Sequence, residues 1–203
     1  MHRFFLRLSK GMAILGGIAL SIIVGVVVLS ILGRELNAFL HGDFAQSAFK
    51  PAADWLLGLR LPGLWGDIRL GPVNGDYEIV EAGVAFAVFA FLPLAQITGA
   101  HATVDVFTNF LPERANRVLA AIAEVLFALV LVIIAVQLWH GTYAKFSRGQ
   151  TTFLLQFPLW WAYALSLFGA VLAAMVALYV AAERLVEMVV GRKLNALGEE
   201  AQG

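Results

Sequence analysis

GMAILGGIALSIIVGVVVLSILG, residues 11–33, carries no charged side chain. At about 1.5 Å per residue, a helix of this length crosses a hydrocarbon layer roughly 30 Å thick. Arg3, Arg7 and Lys10 precede the stretch, as basic residues precede a secretory signal. The apolar run is longer than a signal core, however, and no small-x-small cleavage site closes it. Residues 11–33 are therefore expected to form a retained membrane anchor.

Three more runs of this kind follow, at about 79–98, 118–139 and 157–182. Each is long enough to span, and lipid leaves a spanning backbone no partner but itself, so each is expected to be a helix. Pro158 is expected in the first turn of the last one, where its missing N–H costs nothing. The whole chain of 203 residues agrees: 61% is hydrophobic and 14% charged, against roughly 25% charged in an ordinary soluble domain. The expected fold is an all-α integral membrane protein, a single domain with four transmembrane helices.

Basic residues near the span ends set the expected orientation. With the N-terminus inside, the inner segments hold Arg3, Arg7, Lys10, Arg114, Arg117, Arg184, Arg192 and Lys193; the outer ones hold Arg34, Lys50, Arg60, Arg69, Lys145 and Arg148. Trp55, Trp65, Trp139, Trp160 and Trp161 then all fall on the outer side, where amphipathic rings favour the headgroup zone. N-in and C-in is the expected topology, with the chain's first partner the phospholipid membrane itself.

The outer loop, residues 34–77, is far longer than an ordinary helix connection. From Pro51, the apolar residues Ala52, Trp55, Leu56 and Leu59 recur at helical spacing with Asp54 and Arg60 between them, which predicts an amphipathic helix. Packing on the chain's own helices, lying on the membrane surface, and meeting a partner are all open to it. In the inner loop, residues 99–117, Gly99 is expected to end the second helix, and Thr103 or Asp105 to cap a short surface helix. His101 and Asp105, four apart, are placed to hydrogen-bond if that turn is helical.

Composition and placement exclude several functions. A net charge of +0 gives no electrostatic basis for binding nucleic acid. With no cysteine, thiolate chemistry, Cys-ligated zinc and iron–sulfur centres are absent. Haem in a bundle needs facing ligands at one depth, whereas His101 and His140 fall at opposite ends of their spans and His2 and His41 lie outside them. No cofactor and no catalytic site are expected. Glu124 is the ionisable residue set deepest, seven positions beyond Arg117 and so roughly 10 Å along the helix. Without an intramembrane cation it makes no relay, and packing or an interface suits it better than transport. Pro93 is expected to kink the second span, and Gln96, Gln137 and Gln156 to hydrogen-bond between helices.

The inner-loop residues Gly99-Ala100-His101, then Val104-Asp105, then Leu111-Pro112, resemble the signature loop of the small, DctQ-like membrane subunit of tripartite ATP-independent periplasmic (TRAP) transporters. Glu78 and Glu81 stand where that family has paired acidic residues at the start of span two. Thr151, Leu155, Pro158, Trp160 and Tyr163 resemble its pattern at span four. Two features depart from the family: Ala102 and Thr103 stand where isoleucine and arginine are common, and the outer loop is longer.

The resemblance implies an accessory subunit in a bacterial inner membrane, bracing a large subunit that holds the substrate and sodium sites. A soluble periplasmic protein would capture the organic anion. The residues expected at a partner or lipid interface are Trp55, Glu81, His101, Asp105, Glu124, Trp139, Trp160 and Trp161. The alternative from a different class is a freestanding four-helix membrane enzyme or cytochrome, or a small secondary transporter.

Overall fold

The computed structural model describes residues 2–58, 60–63, 66–69, 71, 73–100 and 112–190. Its elements run α1 (His2–His41), α2 (Asp43–Ala48), α3 (Lys50–Gly58), β1 (Arg60–Gly63), β2 (Gly66–Arg69), α4 (Asp76–Thr98), α5 (Glu113–Ser147) and α6 (Trp160–Val190). Four of them, α1, α4, α5 and α6, are long and apolar enough to cross a membrane, as the sequence predicts. They alternate in direction. One end of the bundle carries the start of α1 and the end of α6 (the terminal end); the other carries the two short strands (the hairpin end).

Helix α1 is 40 residues long, roughly 60 Å and so about twice the hydrocarbon thickness. It outruns the charge-free stretch because Arg34, Glu35, Leu36, Ala38 and Leu40 are all good helix formers. It stops where Gly42 turns extended, at φ −68° and ψ 153°. The strands β1 and β2 form an antiparallel hairpin pairing Arg60 with Arg69, an addition to the expected loop. Beyond it the chain is tied back to α1: Ser30 donates from Oγ to Asp76 Oδ2 and accepts the Val73 amide at 3.2 Å. Helix α4 ends at Gly99, which adopts the left-handed φ of 62°, as expected of a helix-terminating glycine.

The predicted outer amphipathic helix is present as α3, but turned about its axis. Ala53 is its fully buried residue, while Ala52 and Trp55 face outward. The small alanine is the side that α3 buries as it packs beside α1 and α2, and the bulky indole is left exposed. Pro158 is not in a helix. It pairs with Thr151 in an isolated bridge, beside Thr152 N–H to Phe157 O at 3.0 Å and Leu159 N–H to Gln150 O at 2.9 Å. This tight turn delays α6 until Trp160. Gln156 sits in it at φ 57° and donates to Phe153 O, so it bridges no helices. Gln137 is exposed on α5.

The spanning helices stand in a row. α1 packs on α4, α4 on α6 and α6 on α5, while α1 and α5 share no packed interface. Lipid tails are as apolar as leucine, so close packing rather than burial from water holds such helices together. The sequence supplies small side chains for it. Ala170, Ala173, Ala174, Ala177 and Ala181 of α6 meet Ala128, Leu131 and Ala135 of α5. On the other flank, Met12, Ala90 and Leu172 join α1, α4 and α6. A Cβ on Gly16 would stand 2.9 Å from Ala90 Cβ, and one on Gly169 the same distance from Phe89 Cβ. Those two glycines pinch α4 between α1 and α6.

Candidate functional site

Besides the Ser30–Asp76 bond to α1, two polar contacts tie α4 to its neighbours, one at the hairpin end and one near the terminal end. At the hairpin end Glu78, buried in the first turn of α4, accepts the Leu154 amide at 2.7 Å and the Leu155 amide at 2.9 Å. Both donors belong to the α5–α6 turn, whose backbone has no helical partners to satisfy it. A carboxylate with two acceptor oxygens meets two such donors in charge-assisted bonds. The contact fixes the turn against α4, and the Leu155 side chain closes over Gly75, where a Cβ would stand 2.4 Å from Leu155 Cγ. Gly75 has φ 75°, so glycine is required there on both counts.

Nearer the terminal end, Gln96 Nε2 donates to Glu124 Oε2, joining α4 to α5. Gln96 is fully buried and Glu124 half-buried. The pair satisfies two polar groups where water is scarce. Pro93, one turn before Gln96, is also buried and withdraws the donor that would otherwise serve the Phe89 carbonyl.

The expected interface residues fall into separate places. Trp55 is 67% exposed on α3, and Trp139 is 61% exposed on α5. Trp160 is half-buried at the start of α6, edge-on to Phe146 at 5.4 Å and to Trp161 at 6.1 Å between ring centroids. Glu81 is exposed, one turn into α4 from Glu78. His101 and Asp105, and the inner-loop helix that Thr103 or Asp105 was expected to cap, lie outside the described residues. His140 is exposed on α5, and among the described residues no group of three or more His, Asp or Glu is arranged to hold a metal ion.

The Glu78 clamp escapes sequence reasoning. Its partners are backbone amides 76 and 77 positions away, and every non-proline residue carries such a donor. The Gln96–Glu124 bond is closer to legible, since both are polar side chains inside apolar runs at comparable depth.

At the terminal end, the start of α1 lies on the end of α6. Phe5 stacks on Tyr179 with centroids 4.5 Å apart, and His2 Nδ1 is 3.9 Å from Glu183 Oε2. Arg184 pairs with the buried Glu187 at 3.0 Å.

Residues 69–187 match the family model described as "Tripartite ATP-independent periplasmic transporters, DctQ component". The match opens on the last residue of β2 and runs nearly to the end of α6, leaving α1, α2 and α3 outside it. Neither the curated proteins nor the solved structures yield a match to the chain.

Proposed function

Because this chain belongs to the DctQ component family of tripartite ATP-independent periplasmic transporters, we propose that it braces the large membrane subunit of its transporter without contacting the cargo. On this reading the large subunit holds the substrate and the sodium sites, a periplasmic binding protein delivers an organic anion of the carboxylate class, and the complex sits in a bacterial inner membrane. The chain's two ends face the cytoplasm, which puts the β1–β2 hairpin, α3 and the Glu78 clamp on the periplasmic side.

The row of helices α1–α4–α6–α5 is the observation that carries the bracing role. The outer helices of the row turn exposed apolar residues away from the neighbours they pack on, such as Ile14, Ile18 and Ile22 on α1 and Leu126, Leu129 and Ile133 on α5. A brace needs such a surface and needs no buried charge pathway. The polar contacts within the spans are consistent with a stationary part: Ser30 with Asp76, and Gln96 with Glu124, each join two helices by giving a carboxylate a hydrogen-bond donor.

Affinity purification of the tagged chain from its native membrane in mild detergent tests this reading. A much larger polytopic protein is expected to co-elute in equal amount. Recovery of the chain alone, stable and monodisperse, would overturn it, as would uptake of an organic anion by liposomes holding only this chain.

A further inference from the structure

At the hairpin end, α4, α5, α6 and the α5–α6 turn enclose a half-open cavity of about 240 Å³. Along α4 its lining runs from Glu78 to Phe89, about 16 Å at 1.5 Å per residue, so it begins at the end of the span and reaches roughly halfway through a hydrocarbon layer. The deeper wall is apolar, with Ala85 and Phe89 of α4 and Leu138 of α5. The polar groups gather toward the end of the span. Glu81 is exposed there and makes no ion pair or hydrogen bond among the described residues.

Ser166, on α6, lines the cavity and is 3% exposed, and its Oγ has no hydrogen-bond partner. Among the described residues, Ser9 Oγ on α1 and Thr152 Oγ1, which also lines the cavity, are likewise buried without a partner. Ser21, Thr98 and Thr142 each return their hydroxyl to the carbonyl four residues back, the ordinary solution for a helical hydroxyl in lipid. Ser166 does not, so a buried hydroxyl in the cavity lining is left without a partner, which costs free energy unless something satisfies it. Lys145 is outside the lining but lies over Tyr163, which is part of it: its ammonium is 5.7 Å from the Tyr163 ring centroid and 2.8 Å from Gln150 Oε1. The site thus offers the Glu81 carboxylate near the lipid boundary, the Lys145 ammonium beyond Tyr163, the unpartnered Ser166 hydroxyl below them, and an apolar end near mid-membrane.

We propose that this cavity binds one zwitterionic aminophospholipid. Its primary ammonium pairs with Glu81, its phosphate lies toward Lys145, an oxygen of its polar region accepts from Ser166 Oγ, and the first part of an acyl chain fills the space against Leu138 and Phe89. The match is one of both charge and length: a soluble anion would be repelled by Glu81 and would leave the apolar end empty. A lipid so held stiffens the groove between α4 and α5 at the end where they have no counterpart to the Gln96–Glu124 bond.

Native mass spectrometry of the full chain, purified with whatever subunit accompanies it and exchanged into nanodiscs of equal phosphatidylethanolamine and phosphatidylglycerol, tests the site. One retained phosphatidylethanolamine per chain is expected, in clear excess over phosphatidylglycerol. Glu81→Gln should lower that retention about fivefold, the effect of losing one partly exposed ion pair. Ser166→Leu and Ala85→Leu, which fill the cavity from opposite walls, should abolish it; circular dichroism shows which of the two keeps its helices, and that variant decides. Equal retention of both lipids, or retention unchanged by Glu81→Gln and the folded filling variant, would overturn the proposal. It would also fail if Glu81→Gln released a partner subunit while lipid stayed bound, since the cation would then be a protein side chain.

Discussion

Glu78 accepts the backbone amide of Leu154 at 2.7 Å, across 76 positions of the chain. The contact joins the first turn of α4 to the turn that precedes α6, so the two helices that form the middle of the row are registered at one end by a single carboxylate. Their remaining contact is steric: Gly169 lies against Phe89 with no room for a Cβ. A polar pin and a close-packed glycine together set both the height and the separation of the central pair.

Replacing Glu78 with alanine should loosen the α5–α6 turn, because the Leu154 and Leu155 amides lose their acceptor. Phe153 is 87% exposed next to them, so chymotrypsin cleavage there should become several-fold faster. Glu81→Ala serves as the comparison and should leave the cleavage rate alone. Equal acceleration by both variants would mean that the clamp does not hold the turn.

Gly16 and Gly17 are neighbours with opposite surroundings. A Cβ at Gly16 meets Ala90 at 2.9 Å, whereas one at Gly17 meets nothing within 4 Å. Gly16→Leu should therefore separate α1 from α4 and cost about 1–3 kcal/mol as an overpacked contact, while Gly17→Leu should be close to neutral. Unfolding of the two variants in mixed detergent micelles, followed by circular dichroism, checks the difference.

Gln96→Leu takes the amide donor away from the Glu124 carboxylate, and Glu124→Leu takes that acceptor away from Gln96. Each single change should cost about 1 kcal/mol, the scale of interhelical hydrogen bonds in lipid. The double variant should cost less than the sum, since no polar group is left over. Strict additivity in the same unfolding measurement would show that the two side chains are not coupled.

The chain has no cysteine, so single cysteines report topology without a background. Asn74→Cys lies at the hairpin end and Arg114→Cys at the terminal end, both exposed. In intact cells a membrane-impermeant maleimide should label the first and spare the second until the membrane is opened. The reverse pattern would invert the proposed orientation.

Much of the fold is legible in residues 11–33 and the three runs like it. Uncharged stretches long enough to cross lipid must satisfy their backbone internally, so the number of spanning helices and their places along the chain follow from composition. Gly99 likewise announces the end of α4. The exact helix limits do not follow: α1 and α5 run past their apolar stretches because ordinary helix formers continue beyond the lipid, and polarity marks the membrane boundary, not the end of a helix. The outer amphipathic segment was legible as a helix, but which side of it would pack depended on the tertiary fit, which buries Ala53 and leaves Trp55 exposed.

The sequence by itself determined a membrane protein with four apolar helices, the small residues that let them approach, and the inner-loop and boundary residues by which it resembles its family. Only the tertiary structure decided that the helices stand in a row with α4 and α6 at its middle, that Gln96 meets Glu124, and that Glu78 clamps the α5–α6 turn. The reason is physical. Spanning is a property of one segment and its solvent, whereas helix order, and the pairing of a side chain with a backbone amide 76 positions away, depend on which small surfaces fit together in three dimensions.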